Sequence, residues 1–307
     1  LIFITASASL LSAGSIAVFN LSFNLQSVPL AVIGMSYSVA AFPTLAKLFV
    51  NNKKREFLEQ TAIAVRQIIF WSIAASALII VLRAQIVRVV FGSGQFGWQD
   101  TRLTAAAMAI FAFSITAQSV VVIFTRAFYA SGKAWKPIMI NVVSAVFIIG
   151  MIPVLMGLIK NHYSLSSFFE TALRVGDVGG ADMLALPTAF SLGMIINGIL
   201  IFLLFQKEFG DIWRSVRKTF FEVLGASLLM GVTAYFSLNF LDNIFDINTF
   251  VGISSQGFWA ALIGGFVWYG VLKAIKNKEL KEVTNAILTK FWKTPVIASE
   301  PETLDRQ

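Results

Sequence analysis

The stretch RAFYASGKAWKPIMINVV, Arg126 to Val143, places Arg126, Lys133 and Lys136 in one short gap beside Gly132 and Pro137. AAAMAIFAFSITAQSVVVIF lies upstream and IMINVVSAVFIIGMIPVLMGLI downstream. Each run is about the 20 apolar residues that cross a hydrocarbon layer. The gap therefore reads as a basic turn between two membrane helices, and its sign reports the side of the membrane it occupies.

Composition supports that reading. Hydrophobic residues make up 57% of the 307 and charged residues 13%, with 29 phenylalanines. Mean hydropathy is +0.78. A water-soluble domain cannot hide that much apolar surface, so the expected fold class is all-α, a polytopic α-helical membrane protein. The net charge of +8 resides at the ends of apolar segments and no nucleic-acid motif accompanies it, so no nucleic-acid partner is expected. Cysteine is absent, which excludes disulfides, thiol catalysis and cysteine metal sites. The one histidine, His162, falls in a polar connection and reads as a surface residue. The chain opens at Leu1 inside an apolar run without a basic n-region, which predicts a piece whose N-terminal part lies outside the sequence.

Hydropathy and breakers give a stub at 1–12 and seven spans, at 15–48, 57–83, 103–130, 135–159, 182–206, 218–240 and 256–276. The first is long for one crossing, and Pro29 marks an expected kink. Eighteen Lys and Arg residues fall on one side, including Lys47, Lys53, Lys54, Arg55 and the opening turn. The other side receives five: Arg83, Arg88, Arg102, Lys160 and Arg174. The rich side is then cytoplasmic and holds the C-terminus. An interfacial helix is expected within 161–181, where Ser167 and Glu170 have capping-box spacing. Leu280, Val283, Ile287 and Phe291 share one helical face, which predicts a helix on the inner leaflet. A disordered tail is expected after it.

No phosphate loop, zinc-protease motif or carboxylate pair occurs in the spans, so no enzyme, cofactor or metal site is expected. Neutral polarity inside the spans stands out instead. Asn20, Asn24 and Ser27 fall at i, i+4 and i+7, on one helical face. Unpaired amides in hydrocarbon are costly, so that face meets either another helix or a wet cavity. Gln118, Asn141 and Asn197 stand alone in the sequence, and there helix–helix hydrogen bonding, about 0.6 kcal/mol each, is the leading reading. Arg66 lies about nine residues into its span, where Glu59 and snorkelling are expected to reduce the cost of about 2.5–3.5 kcal/mol. Glu222 is expected to pair with Lys218.

Three stretches together resemble the MurJ/MviN family: VPLAVIGMSYSVAAFPTLAKLF at 28–49, VFGSGQF at 90–96 and RAFYASGKAWKPI at 126–138. Members are flippases for the peptidoglycan precursor lipid II, with fourteen spans in two six-helix lobes and a final pair forming a lipid-facing groove. The resemblance implies the second half of such a two-lobe transporter. Residues 1–206 would be the C-terminal lobe, 207–276 the last two membrane helices, and 277–307 a cytoplasmic amphipathic helix and tail. It further implies a bacterial inner-membrane location, a lipid-linked precursor of the undecaprenyl-diphosphate type as partner, membrane lipids around it, and a first lobe of the same protein. Asn20, Asn24, Ser27, Gln118 and Asn141 are the candidate substrate-binding residues. Asn24 stands where the family carries an arginine, and Ile148 and Ile152 stand where some members carry a polar pair linked to sodium. A related exporter of another lipid-linked glycan or small amphiphile, and a transport-dead membrane scaffold, are the alternatives.

Overall fold

In a computed structural model, residues 2–8, 11, 14–92, 96–161, 171–173, 175–176, 181–246 and 249–292 are described. They are helical, with no strand among them. The helices are α1 (Ile2–Ala8), α2 (Ser15–Pro29), α3 (Ser36–Val50), α4 (Lys54–Phe91), α5 (Trp98–Ala112), α6 (Ile115–Ala130) and α7 (Trp135–Asn161). After a 3-10 turn at Ala181–Leu184 come α8 (Ala185–Phe209), α9 (Trp213–Leu241), α10 (Phe250–Ala274) and α11 (Lys278–Trp292). Six helices are long and apolar enough to cross a membrane, and the bent pair α5–α6 makes a seventh span if the two are taken as one. The predicted interfacial helix with Ser167 and Glu170, His162 and the tail from 293 fall outside the described residues.

The first span differs from a simple proline kink. α2, a π-helical turn at Leu30–Met35 and α3 form one helix from Ser15 to Val50. Pro29 has no N–H to return to the preceding turn, and the wider π turn begins directly after it. Ser36 Oγ reaches the Ala31 carbonyl at 3.2 Å, and Ser38 Oγ the Gly34 carbonyl at 2.5 Å, giving polar hydrogens to backbone oxygens at the irregularity. Gly34 lies against α6, where an added Cβ would stand 2.9 Å from Ser119 Oγ and 3.0 Å from Ser119 Cα.

Two further boundaries depart from hydropathy. α4 continues eight residues past the expected end, so Arg83 and Arg88 are helical rather than in a loop. IVRVV is compatible with helix, and Gly92, whose N–H bonds the Arg88 carbonyl, ends it. The expected span 103–130 is broken at Phe113–Ser114, where α5 and α6 meet at 45°. Ser114 Oγ donates to the Phe111 carbonyl at 2.8 Å there.

α4 is the hub, packing against α3, α5, α6, α9 and α10. One apolar core joins Phe57, Phe70, Phe124, Phe128 and Phe205 with Met230, Trp268 and Leu272 of the last two spans. A second gathers Phe19, Phe111, Ile148, Ile152 and Leu184. Ile148 and Ile152 are buried in it, with Gly193 of α8 against Ile148, so these positions supply packing. At its start, the apolar face of α11 meets protein. Leu280 is buried and Val283 half-buried against the first core, so its first turns dock on protein.

Candidate functional site

Two residues advance a helix by about 200°, so α2 shows amides on opposite faces. Asn20 and Asn24 are exposed, and Ser27, part-buried beside them, donates to the Asn24 carbonyl at 2.7 Å. Ser22 and Gln26 face inward and are fully buried. Ser22 Oγ turns back to the Val18 and Phe19 carbonyls.

Gln26 meets Gln118. The Gln118 amide nitrogen donates to Gln26 Oε1 at 3.1 Å and to Ser114 Oγ at 2.9 Å. Ser191 of α8 stands 3.4 Å from Ser114 Oγ and donates to the Ile110 carbonyl at 3.0 Å. This chain of polar groups ties α2 and α8 to the α5–α6 break, where the backbone would otherwise leave polar groups unmet in hydrocarbon. Gln26 Nε2 is buried without a protein partner, so the node has a donor to spare. A second amide pair joins α7 to α8, with Asn197 Nδ2 donating to Asn141 Oδ1 at 2.9 Å. Asn197 is buried and Asn141 is exposed.

The five sequence candidates therefore separate. Asn20 and Asn24, with Ser27, form an uncovered polar face on α2, and Asn141 is exposed on α7. Gln118 is 4% exposed and lies behind them in the buried node. Gln118, Asn141 and Asn197 are not isolated, because each bonds an amide on a neighbouring helix. Gln26, Ser114 and Ser191 were not singled out as partners. Gln26 four residues after Ser22 was the available signal, an inward polar pair on a helix with an outward one.

The basic turn also has a carboxylate at its centre. Gly132 adopts φ +72°, which lets the chain reverse after α6. Lys133 and Lys136 both pair with Glu208 near the end of α8, and Lys133 stacks on Phe209. Arg126 lies 5.7 Å from the Phe42 ring centroid, tying the turn to α3. Within its apolar helix, Arg66 pairs with Glu279 of α11 at 2.9 Å rather than with Glu59. Glu222 sits 3.7 Å from Lys218, as expected, and also accepts from Asn277 at 2.7 Å.

A π turn in one span, a broken second span and buried amides at the contacts define a polytopic α-helical membrane protein with irregular backbone where helices meet. The profile of the family described as Lipid II flippase MurJ matches residues 1–255. The chain belongs to the MurJ family. A probable lipid II flippase MurJ of Thermotoga maritima is 26% identical over 278 residues, 90% of this chain and 49% of that protein. One from Rickettsia prowazekii is 29% identical over 160 residues, 52% of this chain and 32% of that protein. A solved lipid II flippase MurJ in an inward closed conformation shares the fold, with a TM-score of 0.57 at 20% identity over 86% of this chain and 49% of that one. The chain spans about half the length, or less, of these proteins.

Proposed function

We propose that this chain forms the C-terminal lobe, final helix pair and cytoplasmic helix of a flippase moving a lipid II-like cell-wall precursor across the bacterial inner membrane. The observation that carries this reading is the exposed amide pair Asn20 and Asn24 inside the span Ser15–Val50. Amides are not left facing lipid, so this face borders a hydrated space shared with a first lobe of the same protein. Asn20, Asn24, Ser27 and Asn141 contact the head group there, and Gln118 positions α2 from behind. The undecaprenyl tail stays in the bilayer while the lobes alternate between inward and outward openings. Family membership supports the precursor as substrate. The eighteen-to-five split of basic residues supports a cytoplasmic C-terminus.

Translocation of labelled lipid II by the full-length protein in vesicles tests the reading. An amide gives the diphosphate a neutral hydrogen bond, roughly half as strong as a charge-assisted one. Asn24→Leu is expected to slow translocation, while Asn24→Arg sustains or raises it. Loss of lipid II transport in a folded Asn24→Arg protein contradicts the assignment of Asn24. A wild type that moves no lipid II contradicts the function.

A further inference from the structure

α7 meets the rest of the molecule chiefly along α8. Between Lys136 and Lys160 its sequence carries two polar side chains, Asn141 and Ser144. Asn141 is exposed, and so are Ile138, Val142 and Val146 around it. An amide on so apolar a helix needs partners, because hydrocarbon leaves its polar hydrogens unmet. Asn197 accounts for one end of it. The Asn197 Nδ2 donates to Asn141 Oδ1 at 2.9 Å, which engages the carbonyl. An amide also carries two N–H donors, and those of Asn141 meet no acceptor among the described residues.

Two facing amides can bond reciprocally, each donating once and accepting once, and that arrangement suits a contact that only joins helices. Here the bond runs one way. Asn197 Oδ1 is buried without a donor, while the Asn141 NH2 group is left unengaged. The holder is also rigid. Asn197 is 3% exposed. Gly193, one turn before it, lies against Ile148 of α7. A Cβ on Gly198, directly after it, would stand 3.1 Å from Ala117 Cβ of α6. These close approaches fix the α8 backbone against both neighbours and leave the Asn197 amide little room to turn. We propose that Asn197 is a positioning residue, holding the Asn141 carbonyl so that the Asn141 NH2 donates to the head-group diphosphate. This rests on the role proposed above for Asn141 at the head-group path. Diphosphate oxygens only accept near neutral pH, so a side chain fixed to offer only donors suits them. A sugar hydroxyl both donates and accepts, and would not require the carbonyl to be turned away.

The test is the initial rate of labelled lipid II translocation by the full-length protein in vesicles, measured against the mole fraction of lipid II. Asn197→Leu should raise the half-saturating fraction about threefold to tenfold, the worth of one hydrogen bond, with the maximal rate nearly unchanged. Asn197→Ala takes its place if the Leu variant fails to fold. Asn141→Leu should have a similar effect, and adding the Asn197 change to it should alter nothing further. A residue that only joins α7 to α8 would impair both backgrounds alike. Asn141→Asp keeps an acceptor for Asn197 but puts a negative charge where the donor was. It should therefore bind lipid II worse than Asn141→Leu. Additive effects of the changes at 141 and 197, or an Asn141→Asp protein that transports like wild type, overturn the assignment while lipid II transport stands. A wild type that moves no lipid II overturns the function proposed above, and this assignment with it.

Discussion

Arg66 and Glu279 form a 2.9 Å ion pair with side chains only 12% and 3% exposed. Arg66 lies within an apolar span, and its partner comes from the helix that follows the last one. Thr219 Oγ1 donates to the same carboxylate at 2.9 Å, and Gln67 donates to Glu282 one turn on. Asn277 accepts from the Leu280 N–H at 3.0 Å, starting α11, while its amide donates to Glu222. α11 is thus fixed to α4 and α9 by polar contacts at its first turn.

Removing one member of that pair leaves a buried charge without its partner, which costs about 3–5 kcal/mol. Glu279→Gln should lower the unfolding midpoint in detergent accordingly. Arg66→Leu combined with Glu279→Leu should recover most of the loss, because a buried pair is worth little over an apolar replacement. Equal midpoints for wild type and Glu279→Gln would show that α11 is not held by this contact.

The buried amide node makes a similar statement about α2 and α6. Gln118→Leu strands the Gln26 amide inside the membrane region and should destabilise by about 1–3 kcal/mol. Changing both residues to Leu should be milder than the single change. A double variant as unstable as the sum of the singles would remove the coupling inferred from the 3.1 Å bond.

Gly34 lets the π turn pack closely on Ser119 of α6. The Cβ of Gly34→Ala would press on the Ser119 backbone as well as its side chain, so a cost of about 1–3 kcal/mol is expected. Ser119→Gly in the same protein should relieve part of it. Thermal unfolding of the two variants side by side measures both effects, and a neutral Gly34→Ala would mean that the two helices separate readily.

Sidedness is testable because the chain carries no cysteine. Single cysteines at the exposed Lys54, Trp135 and Arg214 should react with a membrane-impermeant reagent only after the cytoplasmic side is opened. Those at Gln99 and Asn243 should react from outside. The reverse pattern would invert the topology read from the basic residues.

Spans and basic turns were legible because each rests on a local pattern, the apolar run or its charged flank. The break at Ser114 was not, since neither Pro nor Gly marks it and AFSIT is apolar enough to continue. What ends α5 there is a serine hydroxyl bonding backward, joined by Gln118 and Ser191. Arg66 was recognised as costly, but its partner lies far along the chain on a helix whose lysines and apolar face suggested a lipid surface. The first turn docks on protein, burying Leu280 and Glu279 together. For the candidate site, the spacing of Asn20, Asn24 and Ser27 identified one face of α2. It carried no information about Gln26, which matters only once Gln118 is packed against it.

The central claim is that the Asn20/Asn24 face of α2 borders the path of a lipid-linked head group. Cysteine substitution at these two positions in the full-length protein, with Leu203→Cys as a lipid-facing control, tests it most directly. The rate of modification by a small aqueous thiol reagent is measured with and without added lipid II. The account predicts fast modification at 20 and 24, slowed by lipid II, and an inert residue 203. Equal inertness at all three positions, or reaction at 20 and 24 that lipid II leaves unchanged, would contradict it.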